Sequence, residues 1–94
     1  MWLSTVKRSQ YEKLVHQKEV LERKIAAYER VRRAISNLVY EFRDDAYALE
    51  ALNAIDRTIF NQLRFMYSGL EALKNKIKEV ERSGAGAAAR REVE

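Results

Sequence analysis

Few side chains of this chain could do chemistry by themselves. Cysteine is absent, which excludes disulfides, thiolate metal sites and thiol nucleophiles. His16 is the only histidine, and Glu12 and Glu19 lie on the same helical face. Carboxylate-bridged iron sites use Glu-x-x-His pairs from two helices, whereas here the order is reversed and occurs once. We therefore predict no metal site, no cofactor and no catalytic residue, so that the protein is not an enzyme.

Positive charge is concentrated in the first half of the chain. Residues 1–43 contain ten lysines and arginines against five glutamates, and the whole chain carries a net charge of +4. Such asymmetry is typical of proteins that bind nucleic acid or an acidic partner. The candidate anion-binding residues are Arg23, Arg30 and Arg33. Basic residues in this region spread around a helix and alternate with glutamates, so nucleic-acid binding is an alternative and not the favoured function.

A heptad pattern predicts the elements that position these groups. Every seventh position from Leu14 to Ile77 is apolar except Asp56, and a second series runs three residues later, from Gln17 to Val80. These series predict the a and d positions of a coiled coil in one unbroken register. The second half is the more aliphatic one, and there we predict the helix-packing interface: Leu49, Leu52, Ile59, Leu63, Met66, Leu70, Leu73 and Ile77.

The chain is expected to fold back near residues 43–46. Asp44 and Asp45 suit the start of a helix, because a carboxylate accepts bonds from the first free backbone N–H groups. We predict a first helix over about 5–43 and a second over about 46–82, which together form the helical hairpin. One continuous helix, or a domain-swapped pair of long helices with the same contacts, stays open.

The fold class predicted is therefore all-α. It is an antiparallel, coiled-coil-like two-helix hairpin that pairs into a four-helix bundle, because so short a chain buries little on its own. Residues 1–4 are an apolar lead, and residues 83–94 are a flexible tail rich in glycine and alanine.

Asp56 is the acidic residue that falls on the predicted seam of the second helix. In a hairpin folded at residues 44–45 it lies opposite Arg32 or Arg33, and we take Asp56 and Arg32 as the register pair. A single polar pair on a seam can fix how two helices align. The alternative is a solvated aspartate on a slightly rotated seam.

Apolar residues off the seam predict a second packing surface. Phe60, Phe65 and Tyr67 flank the stripe of the second helix, whereas a hairpin has only one inner face. We predict that these three side chains form a partner surface. Gly69 indicates close approach of another helix, because glycine inside a helix costs about 1 kcal/mol relative to alanine.

Two Tyr-x-x-x-acid sequences occur, Tyr40 to Asp44 and Tyr67 to Glu71. In this motif and in length the chain resembles the small helical-hairpin proteins of type VII secretion. The resemblance implies an alternative role as a helical secretion partner or chaperone. Those proteins also carry Trp-x-Gly in the turn between the helices. The nearest match here, Tyr67-Ser68-Gly69, is predicted to lie inside the second helix.

The function predicted is protein–protein interaction. The chain is expected to act as an assembly or adaptor protein that packs its helices against a second copy or another helical protein. No apolar run is long enough for a transmembrane helix. Lys7 and Arg8 follow the apolar start too soon for a signal peptide, so a cytoplasmic location is expected.

Overall fold

The computed structural model describes residues 2–82, with side chains from Arg8 onward. Helix α1 spans Trp2–Glu41 and helix α2 spans Ala46–Arg82, and they pack against each other as a hairpin. Helix α1 begins earlier than predicted, so residues 2–4 of the expected apolar lead are helical. The predicted tail, residues 83–94, lies outside the described residues. No helix in the described part of the chain is long and apolar enough to cross a membrane.

The connection between the helices is tight and is closed by Asp45. The Asp45 carboxylate accepts hydrogen bonds from the backbone N–H of Tyr47 at 3.1 Å and of Ala48 at 3.0 Å. Two free N–H groups of the first turn of α2 are thereby satisfied, as an N-cap requires. The Asp45 N–H in turn donates to the Phe42 carbonyl at 2.9 Å. The chain thus reverses over residues 42–45, close to the predicted turn.

The hairpin divides into two compact units, which are described separately. One is Arg23–Ser68, which contains the turn; the other combines Met1–Glu22 with Gly69–Glu94. In the second unit the Tyr11 hydroxyl donates to the Glu81 carboxylate at 3.4 Å.

The apolar stripe of α2 lies where the heptad predicts. Leu63, Met66 and Ile77 are buried. The remaining predicted interface residues of α2 are partly buried: Leu49, Leu52, Ile59, Leu70 and Leu73.

On α1 the predicted heptad register is wrong. The series that starts at Leu14 does face inward, and Ile35 within it is 6% exposed. Its predicted companion series is exposed, however: Gln17, Lys24, Val31 and Leu38. The second series of α1 that faces inward lies three residues before the positions counted in sevens from Leu14. It consists of Tyr11, Lys18, Ile25, Arg32 and Val39. One unbroken register therefore does not run through both helices.

The core of the hairpin is small. Among the described residues the buried apolar side chains are Ile25, Ile35, Leu63, Met66 and Ile77. In that same part of the chain, ten large apolar or aromatic side chains remain at least 38% exposed. A core this thin leaves much apolar surface in water, which isolated helical hairpins tolerate poorly.

Candidate interaction surfaces

The corrected register gives the unit Arg23–Ser68 two unlike sides. In an antiparallel pair of helices the e positions of both helices flank the seam on one side and the g positions flank it on the other. Glu29 and Tyr67 occupy e positions, and a hydrogen bond joins their side chains, as this assignment requires. The neighbouring g and c positions of both helices form the opposite side.

We call the g and c positions over Ala27–Leu38 and Ala48–Phe65 the apolar side. None of its residues is charged, and the charged residues Lys24 and Glu41, at the next g and c positions of α1, mark its two ends. It consists of Ala27, Val31, Ala34, Leu38, Ala48, Ala51, Ile55, Thr58, Gln62 and Phe65. In a chain in which 34% of residues are charged, a ten-residue face without charge is conspicuous. Val31, Leu38 and Ile55 are 48%, 38% and 51% exposed, and four alanines lie among them. Small residues between branched ones let another helix approach closely.

The apolar side contains two polar residues, which expose few unpaired polar atoms. The Thr58 hydroxyl donates to the Ala54 carbonyl of its own helix at 3.1 Å, so its proton needs no outside partner. Gln62 is the other polar residue of this face. The face is thus mainly hydrocarbon, which is the composition of surfaces that become buried on association.

The e side is a charged and aromatic groove. Two adjoining depressions of about 300 and 370 Å³ share Arg32 and Phe60 in their lining. Arg33 lines the first depression and Arg57 the second. We call these two depressions the arginine groove. Its lining is Glu29, Arg32, Arg33, Ser36, Asn53, Asp56, Arg57, Phe60, Leu63 and Tyr67.

Arg32 and Asp56 form a two-point ion pair in the floor of this groove. Arg32 Nε donates to Asp56 Oδ1 at 2.9 Å, and Nη2 donates to Oδ2 at 3.2 Å. The guanidinium also lies 5.0 Å from the centre of the Phe60 ring. Hydrogen bonding to Arg32 lowers the pKa of Asp56, and the same contact raises the pKa of Arg32. The structure thus brings together the two residues proposed as the register pair.

A second contact crosses the groove at Tyr67. The hydrogen bond to Glu29, helped by partial burial and by the negative charge of that carboxylate, raises the pKa of Tyr67. Both acids that line the groove therefore interact with residues of the opposite helix. Within the described residues, the side chains of Arg33 and Arg57 make no hydrogen bond or ion pair.

The predicted partner surface of three aromatic residues is divided. Phe60 and Tyr67 line the arginine groove, whereas Phe65 belongs to the apolar side. At about 100° per residue, Phe65 lies about 140° around α2 from Phe60. Phe65 is 76% exposed, compared with 43% for Phe60. Phe65 and Tyr67 nevertheless line one further depression together, so the partner surface of three aromatic residues stays a prediction.

The predicted anion-binding residues are also divided. Arg23 and Arg30 are exposed on the ridge of α1 that faces away from α2, while Arg33 lines the arginine groove. Seven residues separate Arg23 from Arg30, which is about 10 Å along a helix. The three do not converge on one site.

The structure also locates the remaining residues that the sequence singled out. His16 and its two neighbouring glutamates are exposed. In the described part of the chain no three His, Cys, Asp or Glu residues come together so that they could hold a metal. Tyr67-Ser68-Gly69 lies within α2 and not in the turn.

Gly69 does not mark a backbone contact. A Cβ atom built there would meet Leu21 Cδ2 at 3.6 Å, which is an ordinary van der Waals distance to a side chain. The prediction of close helix approach at this glycine is therefore not supported.

No protein-family model, curated protein or solved structure matches this chain. Sequence reasoning missed the apolar side, because the wrong α1 register placed Val31 and Leu38 on the seam. The signal that could have found it is the run of uncharged residues at c and g positions once Ile25 and Arg32 are placed inward.

Proposed function

We propose that the protein is a non-catalytic assembly protein whose hairpin pairs with a second copy through the apolar side, forming a four-helix bundle. The observation that carries this proposal is the uncharged ten-residue face, set against a core of five buried side chains among the described residues. Burying Val31, Leu38 and Ile55 would remove apolar surface from water at about 25 cal/mol per Å².

A second copy is the occupant that the composition favours. A face without charge meets an identical face without like-charge repulsion, and a two-fold dimer brings the same patch of both chains together. Branched side chains of one copy then fit beside the alanines of the other. The arginine groove would suit a copy of itself less well, since Arg33 would lie near other arginines.

The size of the face agrees with a dissociable dimer. From Ala48 to Phe65 the helix rises about 25 Å, and two helices about 10 Å apart present a width of about 20 Å. Each copy would bury about 500 Å², or about 1,000 Å² in total, which is near the lower limit for a specific interface. We expect a dimer that dissociates on dilution.

The test compares the same substitution at two positions of α2. Ala51 lies on the apolar side and Ala54 on the outward ridge, one turn apart, and both are exposed in the single chain. Ala51→Asp buries a charge in the proposed interface and should weaken dimerisation by about tenfold or more. Ala54→Asp should leave it unchanged. Light scattering over a dilution series measures the dimer, and circular dichroism checks that both variants are helical.

Two outcomes would overturn the assignment. One is a wild-type chain that stays monomeric at millimolar concentration. The other is a dimer that both aspartate variants weaken equally, since the interface would then not use the apolar side.

A further inference from the structure

We propose that the arginine groove is a second and separate docking site, and that its occupant is an acidic amphipathic helix of another protein. The site is separate from the dimer interface, because its lining consists of seam residues and of e and b positions, whereas the apolar side consists of g and c positions. A protein with both surfaces would dimerise on one side and recruit a partner on the other.

The charge inventory of the groove points to an acidic partner. Asp56 is held by Arg32 at 2.9 Å, and Glu29 bonds with Tyr67. Within the described residues, Arg33 and Arg57 have no such partner. The lining therefore holds three guanidinium groups against two carboxylates, a net charge of +1, and the exposed side chains of Arg33 and Arg57 are available to a ligand. Guanidinium groups bind carboxylates in a two-point geometry, so carboxylates are the fitting counter-groups.

The shape and lining point to a helix. A groove between two packed helices accepts a third helix, which lays its apolar residues along the floor. Phe60, 43% exposed, lines both depressions and offers an apolar contact point where they adjoin. Arg33 and Arg57 follow the seam positions Arg32 and Asp56 by one residue each, so they lie outward of the floor. The fitting ligand has an apolar stripe with acids on its flanks.

Nucleic acid fits this groove less well. Proteins that bind single strands combine cations with aromatic platforms, and both are present here. However, the groove also contains the carboxylates of Glu29 and Asp56, which would repel a continuous row of phosphates. A protein helix can place a lysine opposite Glu29 and acids opposite the arginines.

The experiment uses the full chain and a defined probe. The probe is a fluorescein-labelled peptide of about 18 residues, long enough to span the groove as a helix of about 27 Å. It carries leucine at i, i+3, i+4 and i+7 with glutamate on both flanks; a second peptide has lysine in place of every glutamate. Fluorescence anisotropy measures binding at low and moderate salt.

The decisive variants change charge equally at two places. Arg33→Glu with Arg57→Glu reverses the groove, and we expect it to weaken binding of the glutamate peptide about tenfold or more. Arg23→Glu with Arg30→Glu makes the same charge change on the outward ridge of α1 and should alter binding less than about twofold. The groove-reversed variant should in turn gain binding of the lysine peptide.

Three results would overturn the proposal. The first is no saturable binding of the glutamate peptide. The second is equal weakening by the groove and ridge variants, which would indicate net charge alone. The third is an oligothymidylate strand that displaces the peptide and depends on the same arginines, which would assign the groove to nucleic acid. The dimer test with Ala51→Asp is read by mass and not by peptide binding, so the two proposals fail separately.

Discussion

Truncating Ile25 should lower the stability of the hairpin much more than truncating Val31. The heptad in the sequence places Val31 on the seam, whereas in the structure Ile25 is 5% exposed and Val31 is 48% exposed. Ile25→Ala removes three buried carbons, at about 0.8 kcal/mol each, and leaves part of a cavity. Alanine's better helix propensity returns about 0.4 kcal/mol. We expect a loss of about 2 to 3 kcal/mol in the free energy of unfolding.

Val31→Ala removes two carbons that are already half in water. The loss of burial is about 0.8 kcal/mol, and the gain in helix propensity offsets about 0.5 of it. The net loss in the monomer should be about 0.3 kcal/mol. Urea titration followed by circular dichroism measures both variants, at a protein concentration at which light scattering gives the monomer. This condition keeps any effect of Val31 on dimerisation out of the comparison.

The comparison can refute the register assigned to α1. If Val31→Ala costs the monomer as much as Ile25→Ala, the seam of α1 follows the series predicted from sequence and the description of the two sides fails. At higher concentration the two variants should also differ in a second way. Val31→Ala should weaken the dimer, and Ile25→Ala should lower helix content in both states.

Three further predictions concern single contacts. Asp56→Asn should lower the stability of the hairpin by about 0.5 to 1 kcal/mol at neutral pH, because the ion pair with Arg32 is partly exposed; a loss unaffected by salt would contradict this. Since the pKa of Asp56 is lowered by folding, its contribution is present above about 3.9 and should disappear as pH falls through the lower folded value, as urea titrations at several pH values would show. Gly69→Ala should stabilise the protein by about 0.5 to 1 kcal/mol, since a methyl group fits without a clash; a lower melting temperature would show that the glycine is required. Glu29→Gln should lower the pKa of Tyr67 toward its ordinary value, since the carboxylate contact holds it up; an NMR titration of labelled tyrosine that shows no change would exclude the contact.

The second helix could be predicted from sequence and the first only in part, for a physical reason. On α2 both series of the stripe are aliphatic, so one rotation of the helix buries more apolar surface than any other. Between residues 17 and 39 the two competing series of α1 each contain two polar and two apolar members: Gln17, Lys24, Val31 and Leu38 against Lys18, Ile25, Arg32 and Val39. Apolar content alone does not choose between them.

The choice depends on a partner that lies far away in sequence. Arg32 can turn inward because Asp56 and the Phe60 ring receive its guanidinium group. That contact joins residues 24 positions apart. The possibility of pairing these two charges could be seen in the sequence, but its effect on the rotation of α1 could not. The two unlike sides of the unit Arg23–Ser68 follow from that rotation.

The change of register between the two helices also affects whether two copies of the chain can swap helices. Continuing the α1 series from Val39 would put the next seam residue at position 46, whereas the α2 series begins at Leu49. The offset of three residues is a stammer, which overwinds a coiled coil locally. If residues 42–45 straightened to give two swapped long helices, the hydrophobic stripe would be broken at their centre. In the closed hairpin the change of register falls in the turn, where it interrupts neither helix. The offset therefore disfavours domain swapping through two long continuous helices.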